Sequence, residues 1–117
     1  MSIDSTKTLK HQIKELESIP KSVREVISQA IAAIHPNKVI LFGSRARGDN
    51  RRLSDVDLGF TFSPERKKEW VRFLVDLPDN APTLYKIDMV DMASASHNLK
   101  TSISDEGIVI YDSQEND

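Results

Sequence analysis

Lys38-Val39-Ile40-Leu41-Phe42-Gly43-Ser44-Arg45-Ala46-Arg47-Gly48 and, after a short polar stretch, Ser54-Asp55-Val56-Asp57-Leu58-Gly59-Phe60-Thr61-Phe62 decide the fold of this chain. The first part runs Val39 to Phe42 without a polar residue, with Pro36-Asn37 before it and Gly43 after it. Its brevity and the β-branched pair Val39 and Ile40 predict a buried strand rather than a helix. The second part sets Val56, Leu58, Phe60 and Phe62 in alternation with Asp55, Asp57, Gly59 and Thr61. That period of two predicts a strand with one apolar and one polar face. Residues 43–54 between the two strands read as a polar, glycine-bearing loop.

Upstream, Val23, Val26, Ile27, Ala30, Ile31 and Ile34 form one continuous apolar stripe at helical spacing. Ser22 is the expected N-cap of that helix, with Glu25 completing a capping box, and His35-Pro36-Asn37 ends it. Farther upstream, Leu9, Ile13 and Leu16 predict a short helix over residues 8–18 within an N-terminal segment 1–20 closed by Pro20. Its narrow face either packs on the domain's own helix or meets a partner. Downstream, Ser63-Pro64-Glu65 starts a helix whose stripe is Trp70, Phe73, Leu74 and Leu77, broken at Pro78-Asp79-Asn80-Ala81-Pro82. Trp70 is read as packing, with base stacking as the rival role. A third strand over Leu84 to Val90, a helix over residues 94–104, a last strand Ile108 to Tyr111 and a frayed acidic tail over 112–117 complete the chain. The expected fold is α+β: one domain over residues 1–117, a small mixed β-sheet packed against helices.

A length of 117 residues suits one domain, and 38% hydrophobic with 29% charged residues suits a soluble globular one. Sixteen basic and eighteen acidic side chains nearly cancel, which argues against general nucleic-acid binding. The sum hides a cluster, because Arg45, Arg47, Arg51 and Arg52 fall close together. Without Cys there is no disulfide, thiolate metal site or cysteine nucleophile, and His11, His35 and His97 are scattered. No apolar run approaches the ~20 residues of a membrane span, and Met1 to Lys7 lack the apolar core of a signal peptide. A cytoplasmic location is expected.

Asp55 and Asp57 lie two apart on a strand, so their Cα atoms are about 6.6 Å apart and their side chains share a face. Alone, such a pair is most often a solvated sheet face. Two like charges so close also suit a divalent cation, and an all-oxygen donor set selects Mg²⁺, with Mn²⁺ as substitute, over zinc. Gly43-Ser44 leaves the end of a buried strand, where backbone N–H groups and a hydroxyl can meet phosphate oxygens. A P-loop is excluded: Gly43 and Gly48 have its spacing, but Asp49-Asn50 follow where Lys and Ser or Thr are required.

Gly43-Ser44, ten residues, then Asp55-x-Asp57 resembles the signature of the DNA polymerase β-type nucleotidyltransferase superfamily. Phe42-Gly43-Ser44-Arg45-Ala46-Arg47-Gly48 with Ser54-Asp55-Val56-Asp57-Leu58 is similar to its smallest branch, the minimal nucleotidyltransferases (MNT domains). Ile87-Asp88-Met89-Val90-Asp91 matches that branch's third strand, and the resemblance runs from about Val23 to Tyr111. It implies that Gly43 admits close backbone approach and Ser44 contacts a nucleotide phosphate. It implies metal binding by Asp55, Asp57 and Asp88, and proton uptake from the acceptor hydroxyl by Asp88. One of Arg45 and Arg47 would neutralise phosphate charge. Asp91 is assigned to a turn, and Arg51 and Arg52 to a solvated loop.

The implied activity is transfer of a nucleoside monophosphate from an NTP, AMP from ATP above all, to an acceptor hydroxyl with release of pyrophosphate. Larger relatives carry a helical acceptor-binding domain, so the acceptor surface is expected from a second copy or another protein. MNT members are paired with helical HEPN proteins in toxin–antitoxin systems, which implies a HEPN-type partner. A non-catalytic binding module and a small-molecule nucleotidyltransferase are the alternatives; the three acidic positions favour an enzyme.

Overall fold

The computed structural model describes residues 13–115. In chain order these form helix α1 (Lys21–Ile34), strand β1 (Lys38–Phe42), the single turn α2 (Ser44–Arg47) and strand β2 (Val56–Thr61). A 3₁₀ turn (Pro64–Arg66) then leads into α3 (Lys67–Asn80), followed by β3 (Ile87–Asp91), α4 (His97–Glu106) and β4 (Ile108–Asp112). The strands lie in the order β3-β2-β1-β4, with β1 antiparallel to both β2 and β4. β3 joins β2 in parallel, the crossover being made through α3. The expected α+β fold with a mixed sheet is what the chain adopts.

Alternation along the strands sorts the sheet into two faces. Val39, Leu41, Val56, Leu58, Phe60 and Ile110 are fully buried in one core with the α1 stripe and Trp70. Trp70 is a packing residue, its ring stacked on Phe62 at 5.1 Å and tilted against Phe60 at 5.4 Å. The opposite face carries Asp57 and Gly59. At Gly59 an added Cβ would crowd the Met92 side chain, while Ile103 of α4 lies at ordinary contact distance. Helix α4 thus covers that face at Gly59, and the end that carries Asp57 is left open.

Several boundaries differ from expectation. Residues 13–18 form no helix: Lys14 donates its N–H to the Ile110 carbonyl at 2.7 Å, and Ile13 and Ile19 are buried in the core. Pairing with the outer edge of β4 satisfies this segment's backbone in place of helical bonds. Leu9, His11 and the rest of residues 1–12 lie outside the described residues. Ser22 is not an N-cap; that place is taken by Pro20, and the Ser22 hydroxyl meets Thr83 Oγ1 at 2.7 Å. Helix α3 runs through Pro78 to Asn80, because a proline in the last turn has helical φ and forfeits one hydrogen bond only. Strand β3 starts at Ile87, the preceding Leu84 being fully exposed. At the other end Asp112 still belongs to β4, and its carboxylate accepts from the Gln114 N–H at 3.0 Å within a 3₁₀ turn (Ser113–Glu115), so residues 112–115 are folded rather than frayed. Among the described residues no helix is long and apolar enough to cross a membrane.

Candidate active site

Strand pairing brings the carboxylates together. Asp57 lies directly opposite Asp88 across the parallel β2–β3 pair. Asp55 and Lys86 each stand two residues earlier, just ahead of β2 and β3, where the Val56 N–H to Lys86 carbonyl bond continues the pairing, so all four side chains leave the open face of the sheet. The two strands are ~4.8 Å apart, and the four groups form a two-by-two ladder. Its lower rung joins opposite charges, with Lys86 Nζ 3.8 Å from Asp55 Oδ2 and, on the diagonal, 3.9 Å from Asp88 Oδ1. Its upper rung joins like charges. The Asp57 carboxyl is pushed above the usual carboxylate range, first by burial, then by hydrogen bonding and repulsion from Asp88 and by repulsion from Asp55. The Arg47 charge opposes that rise.

Phe42 of β1 is the antiparallel partner of Asp57, so the turn that follows it, Gly43-Ser44, starts beside the ladder. Gly43 has φ of +75°, and a Cβ there would collide with the Asp57 carboxylate. Both facts demand glycine. Gly43→Ala is expected to destabilise the protein by about 1–2 kcal/mol from the left-handed backbone alone, measured by urea denaturation, and to displace Asp57 as well. Ser44 opens the one-turn helix α2, whose N-cap is Gly43.

The arginines of the turn divide. Arg45 is 5% exposed, and its guanidinium donates to the carbonyls of Ser18 at 2.6 Å, Arg52 at 2.9 Å and Ser54 at 2.9 Å while lying over the Tyr85 ring. With Nε also bonded to Ser54, four of its five N–H donors are engaged and the side chain is buried, so Arg45 does not serve the expected phosphate role: it ties the 48–54 loop to the segment before α1. Arg47 is exposed and held by two carboxylates, Asp49 at 3.1 Å and Glu106 of α4 at 3.0 Å. These partners favour its charged form, and that charge opposes the rise at Asp57. Arg51 and Arg52 are exposed loop residues. Asp91 serves a turn, accepting from the Ala93 N–H, the Ser94 hydroxyl and Lys67 Nζ; burial works against its charge, but these bonds hold its carboxyl below the usual range.

In chemical type the donor set of Asp55, Asp57 and Asp88 fits a hard divalent cation: oxygen only, on neighbouring strands, with repulsion between the acids that a cation would relieve. Side-chain placement does not yet converge on one point, and among the described residues no three His, Cys, Asp or Glu side chains form a ligating group. Two members of the site, Lys86 and Glu106, escape sequence reasoning. Lys86 could have been found from its spacing of two from Asp88, whereas nothing in the sequence links Glu106 to Arg47.

The family model described as polymerase beta, nucleotidyltransferase matches residues 21–116. No curated protein matches the chain. Among solved structures, a toxin–antitoxin crystallised with AMP-PNP is 23% identical, covering 86% of this chain and 78% of its own, with a TM-score of 0.52. A Sulfolobus solfataricus protein assigned to the nucleotidyltransferases is 16% identical, covering 97% of this chain and 93% of its own, with a TM-score of 0.54. At these identities the two structures share the fold. With its model spanning α1 to the end of β4, the chain belongs to the polymerase beta nucleotidyltransferase family.

Proposed function

We propose that this protein is a metal-dependent adenylyltransferase of the MNT type that moves AMP from ATP to a hydroxyl on a helical, HEPN-type partner protein. The observation that carries the proposal is the Asp57–Asp88 rung beside the Gly43-Ser44 turn: a crowded acidic face next to a glycine turn at the end of a buried strand. The Gly-Ser and acidic-pair spacing of the MNT branch supports it, as does the AMP-PNP in the toxin–antitoxin structure of similar fold. A second copy of the chain is the other candidate for completing the acceptor surface.

Asp55, Asp57 and Asp88 would hold Mg²⁺ or Mn²⁺, which when bound would offset the negative charge of the carboxylates and the triphosphate. Gly43 and Ser44 receive the outer phosphates, and Arg47, already positioned by Glu106, adds a guanidinium to their charge. Asp88 accepts the proton of the acceptor hydroxyl. The hydroxyl oxygen forms a bond to the α-phosphorus as the bond to the bridging oxygen breaks, and pyrophosphate leaves with that electron pair. Fixing both reactants on one rigid sheet face supplies the orientation that in-line transfer requires.

Incubation with α-labelled ATP, Mg²⁺ and a HEPN-type protein is expected to label the partner and raise its intact mass by one or more adenylyl groups. EDTA is expected to abolish the transfer. Nucleotide binding with no pyrophosphate release over a range of hydroxyl acceptors would instead identify a non-catalytic module.

A further inference from the structure

Lys86 is the one cation in the carboxylate ladder, and nothing in the chemistry above uses it. It extends β3 by one residue toward the turn and passes its carbonyl to the Val56 N–H at 2.9 Å, so its backbone is fixed in the sheet. Its side chain is 71% exposed, yet the ammonium lies within 4 Å of both Asp55 and Asp88 rather than extending into water. The position is the gap between the lower and upper rungs, on the side of the sheet where the three acids crowd. A lysine on a four-carbon stem is a mobile point charge that leaves such a place at little cost, unlike an arginine fork locked to its partners.

We infer that Lys86 is the resident counter-cation of the site: it balances Asp55 and Asp88 when no metal is bound, and a divalent cation must displace it. This inference rests on the metal-dependent reading above and deepens it. Lys86 then sets how tightly the nucleotide-free protein holds metal. Without nucleotide, an incoming ion meets both the attraction of the acids and the repulsion of an ammonium about 4 Å from its ligands. A triphosphate supplies new anions for the displaced ammonium, so metal affinity rises when nucleotide is present. Lys86 in this role is a positioning residue, acting on the cation's ligands and not on the reacting atoms.

The test is titration of the full chain with Mn²⁺ by isothermal calorimetry without nucleotide, for wild type, Lys86→Met and Lys86→Arg. Met keeps the stem and removes the charge; Arg keeps the charge. Lys86→Met is expected to bind Mn²⁺ about tenfold more tightly, from the loss of one like charge near the ion at partly screened separation. Lys86→Arg is expected to bind no more tightly than wild type. In EDTA, Lys86→Met is expected to melt at a lower temperature than wild type, because its acids lose their only cation on the ladder. Equal Mn²⁺ affinity in wild type and Lys86→Met would overturn the inference and leave the nucleotidyltransferase reading standing. Tighter binding by both variants would overturn it too, by tracing the effect to shape rather than charge. Failure of all three proteins to bind Mn²⁺ would overturn both the inference and the metal dependence on which it rests.

Discussion

Asp57→Asn is expected to lower adenylyl transfer from labelled ATP by at least about a thousandfold, the loss typical of removing a key source of transition-state charge stabilisation, while the protein stays folded. The geometry explains both halves of that result. Asp57 is the acid shared by every feature of the site: Asp88 faces it, Asp55 precedes it on the same face, and Gly43 exists in its present form to make room for it. The amide is nearly the same size and keeps one acceptor oxygen, but it cannot contribute negative charge to a cation.

The same substitution should stabilise the metal-free protein at neutral pH. The folded-state pKa of Asp57 is raised above its unfolded value, by burial first and then by its acidic neighbours. Folding therefore favours the protonated form. The carboxyl carries no penalty at pH below the unfolded value, and the penalty grows as pH rises from there through the raised folded value. Melting curves in EDTA at several pH values check the sign: Asp57→Asn should melt above wild type at neutral pH, with the gap closing on acidification. Transfer left intact in Asp57→Asn would refute the role given to this residue.

Arg45→Met is expected to destabilise the fold by about 3 kcal/mol, since three carbonyls lose a charged donor in a largely buried place. Chemical denaturation measures it. The effect should reach the site indirectly, because Arg45 anchors the carbonyls of Arg52 and Ser54 just ahead of Asp55. Arg47→Met should behave in the opposite way, with little change in stability, since exposed ion pairs contribute at most ~1 kcal/mol, and with weakened triphosphate binding. Two arginines two positions apart are thus separable by experiment into one that holds the loop and one that faces the substrate.

Much of this was legible in the residues because period and site coincide. Alternation in Val56, Leu58 and Phe60 placed one face of β2 in the core and therefore Asp57 on the other. The buried run Val39 to Phe42 likewise fixed where Gly43 would stand. What the sequence concealed depends on partners far away in the chain. Arg45 and Arg47 are equivalent in a local reading, and only the arrival of Ser18 beneath one and Glu106 beside the other tells them apart. The segment 13–18 has a helical spacing of apolar residues, but the free edge of β4 offers its backbone a better partner. Ser22 is a sound N-cap by composition but lies two residues after the observed cap, its hydroxyl paired with Thr83 from a distant part of the chain.

The two outer strands of the sheet are treated differently. β4 has Lys14 donating to its Ile110 carbonyl, whereas among the described residues β3 pairs on one side only, with β2. An edge strand reading Ile87, Met89 and Val90 is an invitation for another chain's sheet to join it, and proteins commonly refuse that invitation with charges on the edge. Lys86, Asp88 and Asp91 are such charges. Asp88 thus stands under two demands at once, as a member of the acidic rung and as one of the charges on this edge.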